Sequence, residues 1–412
     1  MKIAIIGGGA AGFFCAANLN ALAEKHEVHI FEKTKKLLSK VLVSGGGRCN
    51  VTNAEASTSA FIDHYPRGRK ELKSVFTRFS NRDTVNWFAD RGVRLHAEED
   101  GRMFPETNQS QTIVNCLFQN AKGSQIHIGH ELISIRKTEN EFKLKFHIND
   151  GITKHIFETV ADYVVITAGG QSVLDGFNFL AELKHTVVPP VPSLFTFNLQ
   201  EDEVKSLMGL SVENASVRIH TSPFTFKGPL LITHWGFSGP AILKLSSHAA
   251  SWLAEKQYKA EIRVNWLSLN EEELRSVLFG MKEKYAATSV INSFPFSFPK
   301  RLLLYLFSKA QIPERKKWSE VSHKEINKLI VVLTCDTYTM NGKTTFKEEF
   351  VTCGGIELSE IDFTRMESKK CTNLFFAGEI LNIDALTGGF NFQSAWSTSY
   401  ISAKSIRETI GE

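Results

Sequence analysis

Gly7, Gly9 and Gly12 stand in GGGAAG with the spacing G-x-G-x-x-G, directly after the apolar run KIAII and before a helix-forming stretch. That pattern can bind a pyrophosphate. The first glycine permits a tight turn, the second lets phosphates approach the backbone, and the third lets helix pack on strand. Ala11 opens the helix, whose free N–H groups and dipole favour an anion. Glu32 closes the next apolar stretch, EVHIFE, 20 residues after Gly12. A carboxylate there is placed to accept hydrogen bonds from a ribose, which favours an unphosphorylated dinucleotide such as FAD or NAD over NADP.

Other segments are rich in the same residue types. SGGGRCNVTN, from Ser44 to Asn53, carries Gly45, Gly46, Arg48, Cys49 and Asn50. Taken locally it could cradle a phosphate, present a reactive thiol or turn a corner. Cys49 has no partner thiol nearby, so a small packed residue is the preferred reading. The six cysteines include no C-x-x-C pair and no metal-ligand spacing, which points to reduced thiols and no metal site. GGFNFQSAW, with Gly388, Gly389, Asn391 and Gln393, reads as a glycine turn feeding a buried helix. His234, in THWGFSGP, is either a proton donor or a structural histidine, and the general acid stays unassigned.

The elements that must position these residues alternate at first between strand and helix: KIAIIG, a helix over Ala11 to Glu24, and EVHIFEK. A helix is expected from about Thr107 to Lys122, then a hairpin of QIHIGHELISIRK and EFKLKFHI, then the apolar strand DYVVITAGG. Pro189, Pro190 and Pro192 break helix and central strand alike, and they set a domain boundary. Beyond them come the strands SLFTFNL, SVRIHT, FTFKGPLLITHW and YKAEIRVNW and three helical patterns, and then YTMNGKTTF, whose Asn341-Gly342 signals a turn. The last part returns to strand, loop and helix. The expected fold is α/β, a discontinuous Rossmann-like domain over 1–188 and 350–412. An inserted domain spans 189–349, β-rich over 189–268 and 335–349 and helical over 269–334.

A length of 412 residues calls for two to three domains, and 42% apolar with 22% charged residues is a globular composition. No run is long enough to span a membrane. A net charge of +4 is too small to demand a nucleic-acid partner. The glycines at Gly7 to Gly9 interrupt the apolar N-terminus as no secretory signal would, so the chain is read as mature and cytoplasmic.

VVITAGG, ending in Ala168 and Gly169, and NLFFAGEI, containing Gly378 and Glu379, form with GGGAAG a set that resembles FAD-binding flavoproteins of the glutathione reductase type. The resemblance narrows further. SGGGRCNVTN, DGRMFPET, THWGFSGPAIL, TCGGIEL and FFAGEILNIDALTGGFNFQSAWSTSY occur in the order expected of the HI0933-like (BaiN-like) family of FAD-dependent oxidoreductases, across nearly the whole chain. It implies a discontinuous FAD domain interrupted by a β-barrel-like subdomain with a helical insert. It also implies that the SGGGRCN loop lies against the flavin, with Arg48 and Asn50 bonding the ring or its phosphates and Arg48 the leading candidate to steady reduced flavin. The helix after Gly388 and Gly389 would favour charge at flavin N1 and O2. Glu379 matches an acidic position near the ribityl chain, usually aspartate. Lys33, Ser44 and Leu132 complete the implied cofactor-binding set. Departures occur at Lys184-His185, Asn382 and Ala385, where the family more usually has glycine-histidine, aspartate and glycine.

The implied activity is hydride transfer between FAD and a small organic substrate, reducing an activated carbon–carbon double bond or oxidising an amine. No second G-x-G-x-x-G is present, so NAD(P)H would share one face of the flavin or be replaced by another donor. The alternatives are a flavin-dependent RNA-modifying enzyme, for which a helix carrying Lys70, Lys73, Arg78 and Arg82 supplies positive charge, and a flavin-binding protein without turnover.

Overall fold

The computed structural model describes residues 1–149, 154–344 and 351–411. The chain divides into two compact units, Met1–Pro192 with Glu348–Glu412, and Ser193–Lys347. The expected return at 349/350 and the end of YTMNGKTTF lie outside the described residues.

The first unit is built on β1 (Lys2–Ile6), α1 (Ala10–Leu19), β2 (Glu27–Glu32) and α2 (Ser39–Gly47). β1 pairs in parallel with β2 on one side and with strand Tyr163–Ile166 on the other. Leu374–Phe376 extends the sheet in parallel beyond Tyr163–Ile166, and Gln125–Ile128 extends it beyond β2. A short antiparallel hairpin, Ile361–Asp362 and Glu367–Ser368, closes the far edge of this seven-stranded sheet. The continuous apolar runs follow from that arrangement, since Ile3, Ile5, Val165 and Phe375 face one buried cluster while Ala4, Ile6, Val164 and Phe376 face another. Helix Phe390–Ile410 packs against α1 and buries Trp396, which lies 5.1 Å from Phe14 between ring centres.

Two sequence expectations are corrected here. QIHIGHELISIRK is not one arm of a hairpin. It divides at Gly129 (φ +71°), so that Gln125–Ile128 joins the parallel sheet while only His130–Lys137 pairs with Phe142–Asn149, which in turn pairs with Lys154–Ala161. The basic stretch from Lys70 to Arg82 is likewise two helices, Arg69–Phe76 and Asn81–Ala89, with Ser80 and Asp83 forming a capping box between them. The three prolines sit in an antiparallel ribbon, Val187–Pro192 against Thr352–Ile356, where an irregularity between Val188 and Val191 absorbs Pro189 and Pro190.

The second unit is a closed barrel in the order Thr196–Leu199, Gly236–Ser238, Thr225–Ile232, Ser211–Ile219, Lys259–Asn265, Asp336–Thr344. Helices Glu271–Lys284, Lys300–Lys309 and His323–Thr334 lie between its last two strands in sequence. Asn341-Gly342 makes no hairpin turn. The strand runs through it, pairing Asn341 with Lys259, and the register shifts where Lys343 and Met340 meet Phe197 and Leu199. Strands on both sides claim the backbone there, so long-range pairing overrides the local turn preference.

Candidate functional site

The carboxyl ends of β1, Tyr163–Ile166 and Leu374–Phe376 lie side by side, and each runs into glycine. Gly7 has φ +120° and donates its N–H to Phe31 O at 2.8 Å. A Cβ on Gly7 would sit 2.4 Å from Thr167 O, and one on Gly12 would sit 1.9 Å from Gly7 O. Both positions therefore require glycine for packing. Gly9 differs, because a Cβ there meets no protein atom within 4 Å. It caps α1, which has no side-chain cap and no acidic residue in its first turn. The helix thus presents orphan N–H groups behind an open glycine, the arrangement that takes a phosphate. Gly169 (φ +73°) also faces open space, beside half-buried Ala168. Ala11 packs under Gly378, where a Cβ would come within 3.0 Å of the Ala11 Cβ.

Glu32 ends β2 with its carboxylate turned back toward this turn. Oε2 accepts from Gly8 N–H and Oε1 from Thr34 N–H, each at 2.8 Å, which orients both oxygens and leaves each a lone pair for a hydroxyl. Lys33 beside it is exposed. Glu379 forms an ion pair with Lys40 of α2, whose ammonium is held above its ordinary pKa by that carboxylate. Lys40 was missed in the sequence because its partner is 339 positions away.

The SGGGRCN segment is the bent end of α2. Ser44 turns extended, and Gly45, Gly46 and Gly47 take positive φ of 57°, 68° and 84°. A Cβ on Gly45 would strike the Phe104 ring at 2.7 Å, whereas Gly46 and Gly47 front open space. Arg48 has protein partners: Nη1 donates to Glu98 Oε1 at 2.6 Å, Nε to Gly45 O at 3.3 Å, and the guanidinium carbon lies 4.0 Å from the Phe104 ring centre. Cys49 is 0% exposed, and burial pushes its thiol up to about 12.

Asn50 donates to Thr52 O and accepts from Gly389 N–H, both at 3.0 Å. Asn53 Nδ2 donates to Gly388 O at 3.1 Å, and Thr52 Oγ1 donates to Gln393 Oε1 at 2.6 Å. The segment that began as a glycine loop is therefore stitched to the start of helix Phe390–Ile410. Gly389 (φ +93°) allows the closeness, because a Cβ there would lie 2.4 Å from Thr52 O. Asn391 and Gln393 turn inward. Asn391 exchanges two hydrogen bonds with the Ala385 backbone, at 2.9 and 3.0 Å, and Gln393 is 0% exposed. No acidic residue stands in the first turn of this helix, so its N-terminus is a second place for negative charge.

A further clamp escaped the sequence reading. Arg67 and Asp384, the latter 1% exposed, form a two-pronged ion pair. Tyr65 donates to Phe390 O at 2.6 Å, and the His64 ring stacks on Phe390 with centres 4.0 Å apart. Leu132 is a buried strand residue opposite Phe146, in the apolar cluster that also holds Ile6, Phe31 and Phe390. In the barrel unit, His234 and Trp235 are exposed at the turn between Thr225–Ile232 and Gly236–Ser238, with Trp235 46% exposed.

A parallel sheet whose glycine-lined strand ends meet two helix N-termini, with a carboxylate oriented one strand away, has the build of a Rossmann-type fold, and with the family match it makes the chain a flavin-dependent oxidoreductase. The chain belongs to the HI0933-like family, matching the HI0933-like protein Rossmann domain over residues 1–405. It is 30% identical over 417 residues to a ribosomal RNA dihydrouridine synthase of Escherichia coli, covering 98% of this chain and 97% of that one. A protein of the same description from Haemophilus influenzae is 29% identical over 410 residues, with coverage of 98% and 97%. A 3-dehydro-bile acid delta(4,6)-reductase of Clostridium scindens is 23% identical over 418 residues, covering 99% of each chain. No helix among the described residues is long and apolar enough to cross a membrane.

Proposed function

We propose that the chain binds FAD and reduces a ring carbon–carbon double bond conjugated to a carbonyl, with uracil in ribosomal RNA as the favoured substrate. The observation that carries the cofactor is the contrast among glycines: Gly7 and Gly12 are demanded by packing, while Gly9, Gly46, Gly47 and Gly169 line space that no protein atom fills. In this reading the α1 N-terminus and Gly9 hold the pyrophosphate, and Glu32 holds a ribose. The loop Gly45 to Gly47 approaches the flat ring by its backbone. The N-terminus of helix Phe390–Ile410 offers N–H groups to developing negative charge, and Asn50 fixes where that helix begins. When bound and reduced by an NAD(P)H-type donor, the flavin would supply the hydride for one carbon of the double bond. A proton must reach the other carbon, and buried Cys49, held near 12, is unsuited to give it.

The substrate class is supported by the names of the relatives, since dihydrouridine is uridine with a saturated ring double bond and a delta(4,6)-reductase acts on ring double bonds. Uracil in RNA is placed first because the two relatives of that description are the more similar. This reading takes up the RNA-modifying alternative in place of the expected small-molecule substrate. A small enone is the second reading, favoured by the bile-acid relative. The test is anaerobic reduction of the FAD-loaded protein by NADH or NADPH, followed by deproteinised ribosomal RNA from cells lacking it, or by an enone panel. The expected result is flavin reoxidation with two hydrogens gained by a uridine. A colourless protein that cannot be loaded with FAD, or reduced protein inert to both substrates, overturns the reading.

A further inference from the structure

Residues 67–94 hold eight Lys and Arg against three Asp and Glu, a net +5, whereas the whole chain is +4, so the remainder is net −1. Most of the cations in this stretch that lie near acids are spoken for. Arg67 pairs with Asp384 and Arg69 with Asp63, while Arg82 donates to Ala56 O and Arg91 to Asn120 and Trp87 O. Lys70, Lys73 and Arg78 are exposed, and their side chains make no ion pair or hydrogen bond among the described residues. Lys70 and Lys73 are three apart and so share the outward face of helix Arg69–Phe76, which Arg78 continues two residues beyond its end. Of the nearby acids, Asp63 is taken by Arg69, Asp83 by the Ser80 cap, and Glu71 is half-buried in the helix's first turn.

This helix is held against the site loop. Its cap, Gly68, packs on Ile383, where a Cβ would lie 2.6 Å from Cγ1, and the preceding residue is Arg67 of the Asp384 clamp. Its inward face buries Leu72, Val75 and Phe76. Phe76 packs edge-on against Phe61 with centres 5.3 Å apart, and Phe61 in turn meets Phe390 at 4.9 Å. Eight residues of helix rise about 12 Å. Lys70 and Lys73 therefore lie within about two turns of the contact between Gly68 and Ile383, and Arg78 follows just beyond the helix's end.

We propose that Lys70, Lys73 and Arg78 form a phosphate-contacting face that seats the ribosomal RNA strand flanking the reacting base. The inference rests on the RNA reading above. Charge complementarity selects the occupant: a polyanion gains from three unpaired cations beside the site, and a neutral enone gains nothing from them.

The test compares wild-type holoenzyme with the variant Lys70→Glu/Lys73→Glu/Arg78→Glu, using deproteinised ribosomal RNA as substrate. The expected result is a KM for RNA raised tenfold or more, with kcat at saturating RNA and flavin reduction by NAD(P)H unchanged. The plot of log(kcat/KM) against log salt should also flatten by about 2, from roughly 0.7 per lost phosphate contact to a single strand. Should charge reversal impair folding or FAD content, the glutamine triple variant gives the same test with a smaller KM rise and the same flattening. An unchanged KM and salt slope in a folded, FAD-loaded variant overturns the phosphate face and leaves the RNA reading standing. A wild-type protein that reduces enones and no RNA overturns both.

Discussion

At the scale of single residues, three glycines in one motif have separate jobs that substitution will separate. Gly12→Ala drives a Cβ to 1.9 Å from the Gly7 carbonyl, and a loss of about 3 kcal/mol is expected, read as a lowered denaturation midpoint. Gly9→Ala meets open space at φ −91°, so the apoprotein should melt as wild type while FAD no longer stays bound through gel filtration. Equal melting losses for the two variants would remove the distinction. Arg48 acts by position, holding the glycine loop through Gly45 O while stacked on Phe104. Its ion pair with Glu98 is about one-third exposed on each side, so Arg48→Ala should cost under about 1 kcal/mol and still weaken FAD retention as the loop loosens. FAD affinity and flavin potential both at wild-type values would count against that role. The spacing of Gly7, Gly9, Gly12 and Glu32 was legible in the sequence because strand, turn and helix are local. That Arg48, Asn391 and Gln393 spend their polar groups on the protein was not, because their partners come from the fold.

Among elements, the decisive one is helix Phe390–Ile410, whose N-terminus is fixed by segments far away in sequence. Asn50 and Asn53 tie Gly389 and Gly388 to the end of α2, and Arg67 with Asp384 ties the approach loop to residues 64–68. Asp384→Asn leaves Arg67 without its countercharge in a mostly buried place. The expected cost is about 3–5 kcal/mol, measured by urea titration. Arg67→Lys, which keeps the charge and loses the two-pronged geometry, should cost less; a larger loss than in Asp384→Asn would mean that shape rather than charge sets the clamp. Element types were largely readable from hydrophobic period. The Gly129 division and the passage of strand Asp336–Thr344 through Asn341-Gly342 were not, because neighbouring strands outbid the local turn signals.

For the whole molecule, acid should dismantle the two units in different windows. His127, on an edge strand of the first unit, is pulled down to about 4 by burial, with His29, His130 and Lys2 adding like charge. Its Nε2 meets His29 Nδ1 at 2.9 Å, and His29, also lowered by burial, meets Glu27 at 3.1 Å. A depressed histidine binds fewer protons folded than unfolded, so this stability is complete above about pH 6.5 and is lost as pH falls toward 4. Glu325, in the helical insert of the second unit, is held near 2 by the hydrogen bond from Lys316 and then by the Ser322 cap. Its contribution is present above about pH 4.5 and lost as pH falls through 2. Circular dichroism titration should therefore show the first unit loosening before the insert, and His127→Gln should remove the upper transition; a single transition below pH 4 in wild type would refute the order. The sequence by itself determined the α/β class, a β-rich insertion and the glycine turn, because hydrophobic period and glycine spacing act over a few neighbouring residues, while closure of the insertion into a barrel takes strands far apart in sequence. Only the tertiary structure decided which polar side chains remain available to a ligand. A hydrogen bond between Asn50 and Gly389, or an ion pair between Lys40 and Glu379, exists only once more than 300 residues of chain have brought its partners together.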